Sequence, residues 1–212
     1  MLQFELTPKH AGVIVWGDTW TLHEMYDLVH QINESSPIIE NKEGFFLGLA
    51  YDLRKAYDGQ RRKSTLKFFD DECPIYGVEI LWPVLIAQVG ILRASMSFVP
   101  TTRGDQAVAY GIEYLIECAV RKALPGQEDG IIRLMHTIGI HPSHIEDVIN
   151  SRCRYFIDLP PKERLKMLPD VLQSFDVMFD FVSKQKYYRG RIPSNAFDAY
   201  ANEDIDWPDF KW

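Results

Sequence analysis

The chain is poor in most of the features by which a sequence announces its chemistry. Only three of its 212 residues are cysteine. Cys73, Cys118 and Cys153 stand far apart, with no CxxC pair and an odd count. That usage points away from a disulfide framework and toward a reducing compartment, where a free thiol behaves as a small core hydrophobe. No run of about 18 uncharged apolar residues is present to span a bilayer. The opening Met1-Leu2-Gln3-Phe4-Glu5 lacks the basic and apolar regions of a signal peptide. A cytoplasmic protein without a membrane partner is therefore expected. GxGxxG, GKS/T, HExxH and GxSxG are all missing, which removes the Rossmann, P-loop, zincin and nucleophile-elbow readings. Excess basic charge is missing too: 23 basic against 30 acidic side chains leave −7, which argues against a general nucleic-acid coat but permits a local basic patch. There is no internal repeat, no low-complexity stretch and no Ser/Gly/Pro linker.

What is present is ordinary globular material, 46% hydrophobic, 25% charged and 13% aromatic. A chain of this length buries roughly 70% of its unfolded surface, so it needs no metal or disulfide staple. Leu2, Phe4 and Leu6 alternate with polar residues, Thr7–Gly12 supplies turn chemistry, and Val13-Ile14-Val15-Trp16 resumes a β-branched run, so a hairpin is expected. Thr21 and Glu24 have capping-box spacing, and Leu22, Met25, Tyr26, Leu28, Val29 and Ile32 repeat at helical period, predicting a helix over 21–34. Residues 45–58 fit either a helix or a hairpin arm. The helix is preferred because Asp52, Arg54, Lys55 and Ala56 are poor strand formers and Gly59 is placed as a C-cap. Thr65–Phe69 and Tyr76–Leu81 read as a second strand pair across a turn at Asp70–Pro74.

Pro83 is suited to a first helical turn, and the stretch from Val84 to Phe98 is apolar nearly all round, as in the middle of a bundle. Further helices are expected over about 105–124, 128–138, 142–156, 161–168 and 169–185, with Pro142, Pro161 and Pro169 in first turns. The fold class is therefore α+β. A small N-terminal antiparallel sheet of two hairpins with helices occupies 1–82, a mainly helical bundle 83–186, and an irregular acidic and aromatic tail 187–212. All of it is expected to form one domain.

Candidate sites are few. His136, His141 and His144 lie close together with Glu146 and Asp147 behind them, but without a complete ligand set no metal site and no cofactor are expected. No catalytic residue is nominated from local motifs. Arg93 stands among apolar neighbours, where a lone charge is costly. If the helices at 84–98 and 105–124 fold back on each other, Arg93 comes level with Glu113, with Glu117 one turn further and Gln88 near enough to join. A buried ion-pair network is the simple account, and a clamp for a carboxylate or phosphate is the functional one. Arg54, Lys55, Arg61, Arg62, Lys63 and Lys67 concentrate six of the 23 cations in one short stretch. They read either as a guarded sheet edge or as a surface for an acidic protein or nucleic acid. Arg103-Gly104-Asp105 is more simply a loop glycine and a helix-start acid than an adhesion tripeptide. In the tail, Asp198, Glu203, Asp204, Asp206 and Asp209 interleave with Tyr200, Ile205, Trp207, Phe210 and Trp212. The tail is expected to dock on its own chain, with the basic cluster as its preferred acceptor.

The run Glu79-Ile80-Leu81-Trp82-Pro83, the apolar helix with Arg93, Asp105-Gln106-Ala107 and the opening Gly12–Asp18 together resemble an uncharacterised bacterial protein family, a domain of unknown function. The resemblance covers most of the chain and implies no activity. Bacterial proteins of this size and acidity include immunity and defence-associated partners, an analogy of type only.

The functional expectation is a non-enzymatic cytoplasmic protein-interaction or immunity/defence-associated module, with another protein or a second copy (a homodimer) as its partner. The alternatives are a hydrolase acting on a phosphate- or carboxylate-bearing small molecule through Arg93 with Glu113 or Glu117, and nucleic-acid binding through residues 54–67.

Overall fold

A computed structural model of the chain describes residues 2–68, 71–201, 207 and 209–212, the side chain of Phe68 excepted. Alternating and β-branched residues give the first hairpin, Gln3–Leu6 (β1) with Gly12–Gly17 (β2), in which Phe4 faces Val15 and Leu6 faces Val13. Thr7 closes its turn: the hydroxyl donates to the Gly12 carbonyl and accepts from the Gly12 N–H, both at 3.0 Å. Arg62–Phe68 (β3) and Asp71–Leu81 (β4) form the second hairpin. β4 also pairs with β2, so the antiparallel sheet has the order β1-β2-β4-β3.

The second hairpin is longer than the sequence led one to expect. Residues 71–74 of the anticipated turn are strand, with Pro74 opposite Thr65 and Cys73 opposite Leu66, while Asp70 lies outside the described residues. Pro74 is tolerated there because β2 reaches only to the level of Tyr76, which leaves one side of β4 without a neighbouring strand. At the other end β3 begins opposite Gly77, so Val78–Leu81 have β2 on one side and an open edge on the other.

Helix Thr19–Ser35 (α1) starts two residues before the anticipated point, because Asp18 rather than Thr21 caps it. The Thr21 N–H donates to Asp18 Oδ1 at 2.9 Å and the Thr21 hydroxyl to Oδ2 at 2.8 Å, so that hydroxyl is spent on the true cap. The capping box of this fold is elsewhere, between Thr102 and Asp105. The ambiguous stretch resolves into a 3-10 turn over Phe45–Leu47 and a helix Gly48–Tyr57 (α2), followed by Gly59 at φ 72°.

Trp82–Ser95 (α3) runs directly out of β4, with Pro83 in its first turn, and nearly every side chain on it is buried. Arg103–Ala123 (α4), Glu128–Ile138 (α5), Pro142–Asp158 (α6) and Pro161–Gln173 (α7) surround it. The expected break at Pro169 does not occur. Pro169 lies inside α7, and burial of Leu168, Val171 and Leu172 on one face holds the helix through it. The chain then leaves helical geometry, so the anticipated helix 169–185 is reduced to the single turn Phe179–Val182 (α8). A continuous core joins Val13 and Val15 of the sheet to Leu22, Leu85, Ile112, Phe156 and Leu172 of the helices. Among the described residues no helix is long and apolar enough to cross a membrane.

Candidate functional site

The last turn of α3 brings Arg93 against α4. Its Nε donates to Glu113 Oε1 at 2.5 Å, Nη2 to Glu113 Oε2 at 2.9 Å, and Nη1 to Gln106 Oε1 at 2.8 Å. Cζ lies 4.5 Å from the Tyr110 ring centroid. The bidentate bond to Glu113 raises the Arg93 pKa and secures the cation. The pair is sheltered rather than sealed, with 20% and 15% of the two side chains exposed. Glu117 does not join it. That carboxylate pairs with Arg121, four residues on along α4, where the helical repeat supplies a nearer cation. Gln88 does not join either; its amide donates to the Phe45 carbonyl at 3.0 Å and ties α3 to the 3-10 turn.

The basic cluster spans the end of α2 and the edge strand β3, and much of its charge is answered locally. Arg61 pairs with Asp52 at 3.2 Å, Arg62 with Glu79 at 2.5 Å and Lys67 with Glu72 at 3.0 Å. Arg54 lies over the Tyr51 ring. Among the described residues Lys63 has no carboxylate partner.

The histidines do not converge. His136 and His141 are exposed, and Glu146 accepts instead from the Asn41 side chain and the Phe45 N–H, fastening the loop before α2 onto α6. Among the described residues no group of three side chains can hold a metal ion.

The tail folds back. Ser194–Tyr200 forms a 3-10 segment with Phe197 in the core. Tyr200 Oη donates to Asp158 at 2.6 Å, and that bond pushes the phenol up to about 12. Phe210 and Trp212 pack half-buried at the open edge of β4, beside Leu81 and Val84, and share a groove with Arg61 and Asp52. Trp207 keeps 43% exposure, with Arg154 5.5 Å from its ring centroid. Among the described residues it is the rings of the tail that reach the basic cluster, and Asp52 takes the Arg61 guanidinium. Glu203, Asp204 and Asp206 lie outside the described residues.

Two features at the far corner of the helical part were not anticipated. The first is a cleft of about 200 Å³ between α6, α8 and the 194–201 segment, lined by Ser151, Arg152, Asp180, Lys184, Asn195 and Asp198 among others. Arg152 is only 7% exposed. Its Nη1 donates to Ser151 Oγ at 3.0 Å, its guanidinium lies 4.2 Å from the Phe197 ring centroid, and its Nε is sealed without a partner. No carboxylate of the described residues lies within ion-pair distance of it. Burial lowers the Arg152 pKa, and Asp180 across the cleft only partly opposes this. Two turns earlier on α6, His144 Nε2 is also sealed and unpartnered; burial, then the charge of Arg152, lower its pKa. The signal for Arg152 was in the sequence, at the seventh position after Ile145 on the apolar stripe Ile145, Ile149, Cys153, Phe156.

The second feature is an apolar face. Val177, Met178, Phe181 and Tyr187 are all exposed within one short stretch, with Ile140 nearby. Grooves of about 320 Å³ and 350 Å³ flank the Gln173–Asp176 loop beside this face. The sequence placed Val177, Met178 and Phe181 in a helix over 169–185; with α7 ending at Gln173, Phe179 alone of residues 177–187 is buried.

Residues 2–212 match the family described as "Domain of unknown function (DUF6904)". The chain belongs to that family. No curated protein and no solved structure matches it. The DUF6904 match spans the sheet, the helices and the C-terminal segment, so the Arg152 cleft and the apolar face both lie within the region that defines the family.

Proposed function

We propose that this DUF6904 chain is a non-enzymatic protein-interaction module that pairs with a second copy of itself through the apolar face at residues 177–187. The carrying observation is the exposure of Val177, Met178, Phe181 and Tyr187 close to two grooves with volume enough for such side chains. Methionine and aromatic residues are enriched at interface cores, and large apolar side chains exposed this close together in the chain mark a surface that a partner covers. A two-fold interface must be self-complementary. This one offers exposed apolar side chains and grooves together, with Asp176 and Arg189 both lining the larger groove. An acid and a base on one surface supply the complementary charges that a second copy would need.

The rival readings have weaker support. Arg93 commits its donors to Glu113 and Gln106, which favours a brace between α3 and α4 over a substrate clamp. The pairing of Arg61, Arg62 and Lys67 with carboxylates disfavours a phosphate-binding patch. Three free cysteines, one of them wholly buried, suit the cytoplasmic setting.

Sedimentation of the purified chain across a wide concentration range tests the proposal. A dimer is expected, and Met178→Glu with Phe181→Glu should yield a monomer of unchanged helix content. A wild-type chain that stays monomeric throughout, or a double variant that still dimerises, would overturn it. Specific occupation of the same face by a different protein, such as a component of a defence system, would keep the interaction role and reject self-pairing.

A further inference from the structure

A guanidinium withdrawn from water with no carboxylate in reach is a costly arrangement. Buried polar groups are otherwise almost always satisfied, and each exception asks what it is for. Arg152 is such an exception, and it borders a cleft rather than a closed core. One edge of its guanidinium is fixed by Ser151 and one face by Phe197, so its orientation is set in advance. Nη2 makes no hydrogen bond among the described residues and, unlike Nε, is not sealed off, so it is the donor presented to the cleft. Lys184 supplies a second cation to the same cleft, and Ser194 and Asn195 supply neutral donors.

The same cleft also carries the complementary charge. Asp180 and Asp198 also line the cleft, yet neither is bonded to Arg152. A bare anion would meet repulsion from these carboxylates. A molecule with an anionic group at one end and a protonated amine at the other would satisfy both signs of charge in the lining. A cleft of about 200 Å³ falls below the usual ~300–1,000 Å³ of drug-sized sites, so the occupant is metabolite-sized.

We propose that the cleft between α6, α8 and the 194–201 segment binds a small zwitterionic metabolite, its carboxylate or phosphate on Arg152 and Lys184 and its ammonium on Asp180 and Asp198. The site goes beyond the interaction role, and its failure would leave that role untouched. It does share α8 with the apolar face, which turns Phe181 outward while Asp180 lines the cleft.

Calorimetric titration of the full chain with phosphoethanolamine, γ-aminobutyrate and inorganic phosphate tests the assignment. Saturable binding of at least one zwitterion is expected, tighter than inorganic phosphate; which zwitterion binds distinguishes a phosphate ligand from a carboxylate one. Arg152→Met should weaken that binding roughly tenfold or more, the loss of a charge-assisted hydrogen bond. Asp180→Asn should erase the preference over inorganic phosphate. The unliganded Arg152→Met variant should melt no lower than wild type, because an apolar side chain replaces an unpaired cation. A merely structural arginine would give the opposite melting result. Lys184→Gln, at an exposed position, gives a second reading of binding should Arg152→Met fail to fold. Absence of saturable binding for every probe, binding unaffected by both Arg152→Met and Lys184→Gln, or a clear loss of stability in unliganded Arg152→Met would each overturn the proposal.

Discussion

Gly90 of α3 and Gly139, at the end of α5, meet backbone to backbone. A Cβ on Gly90 would lie 2.3 Å from the Met135 carbonyl oxygen, and one on Gly139 would lie 2.0 Å from the Gly90 carbonyl oxygen. Main chain cannot yield as a flexible side chain can, so either methyl would force the two helices apart. Gly90→Ala and Gly139→Ala should each lower the unfolding free energy by about 3 kcal/mol in urea denaturation. Gly130→Ala is the control. Nothing lies within 4 Å of its added methyl, and there alanine should stabilise α5 by about 0.5–1 kcal/mol.

That contact also shows where sequence reading stops. The all-round apolar character of α3 was legible, because period and composition are local. The role of Gly90 was not legible, since its partner is distant along the chain and no helical repeat connects them. The meeting of Arg93 with Glu113 could be anticipated because two consecutive helices folding back leave few registers. Glu117 was misplaced because the competing cation, Arg121, sits on its own helix. The Pro169 rule failed for a different reason: three buried side chains on one face outweighed a local preference. Arg152 was visible on an apolar stripe, but its lack of a carboxylate partner is a fact of three dimensions.

The Arg93–Glu113 pair joins α3 to α4 across partly sheltered ground. Glu113→Ala leaves a cation held only by Gln106 and the Tyr110 ring, and should cost about 1–3 kcal/mol. A double-mutant cycle with Arg93→Met should return a coupling of about 1–2 kcal/mol. Glu117→Gln, which touches only an exposed pair, should stay within about 0.5 kcal/mol of wild type. A larger loss at Glu117 than at Glu113 would show that the network extends further along α4 than these bonds.

Asp18 gives α1 a pH-dependent cap. Burial alone would raise its carboxyl, but hydrogen bonds donated to it, those of the Thr21 N–H and hydroxyl among them, more than offset this and hold it at about 2. The unfolded value is near 3.9. The contribution is therefore complete above the unfolded value and is lost as pH falls from about 4 toward 2. Asp18→Ala should cost about 0.5–2 kcal/mol near neutrality. The gap between variant and wild type should narrow over that acid window in parallel denaturation curves; a gap that stays constant to pH 2 would show that the cap acts through geometry alone.

The C-terminal segment can be dissected by two truncations. A chain ending after Ala201 loses Trp207, Phe210 and Trp212, of which the last two are half-buried at the open edge of β4. A chain ending after Asn195 also loses Phe197, which is buried and lies under the Arg152 guanidinium. Removing a fully buried aromatic costs about 3–5 kcal/mol, and half-burial offers correspondingly less. The longer truncation should therefore lower the melting temperature by clearly more than the shorter one. The proposed dimerisation through the 177–187 face would itself make the wild-type melting temperature rise with concentration, so the informative quantity is the drop caused by truncation. With the rings docked on their own chain, that drop should be the same at every concentration. A drop that vanishes on dilution would place the rings on a second subunit instead. Loss of residues 202–212 to protease without any change in melting would detach them from the fold, and would leave Phe197 as the last side chain that the core requires.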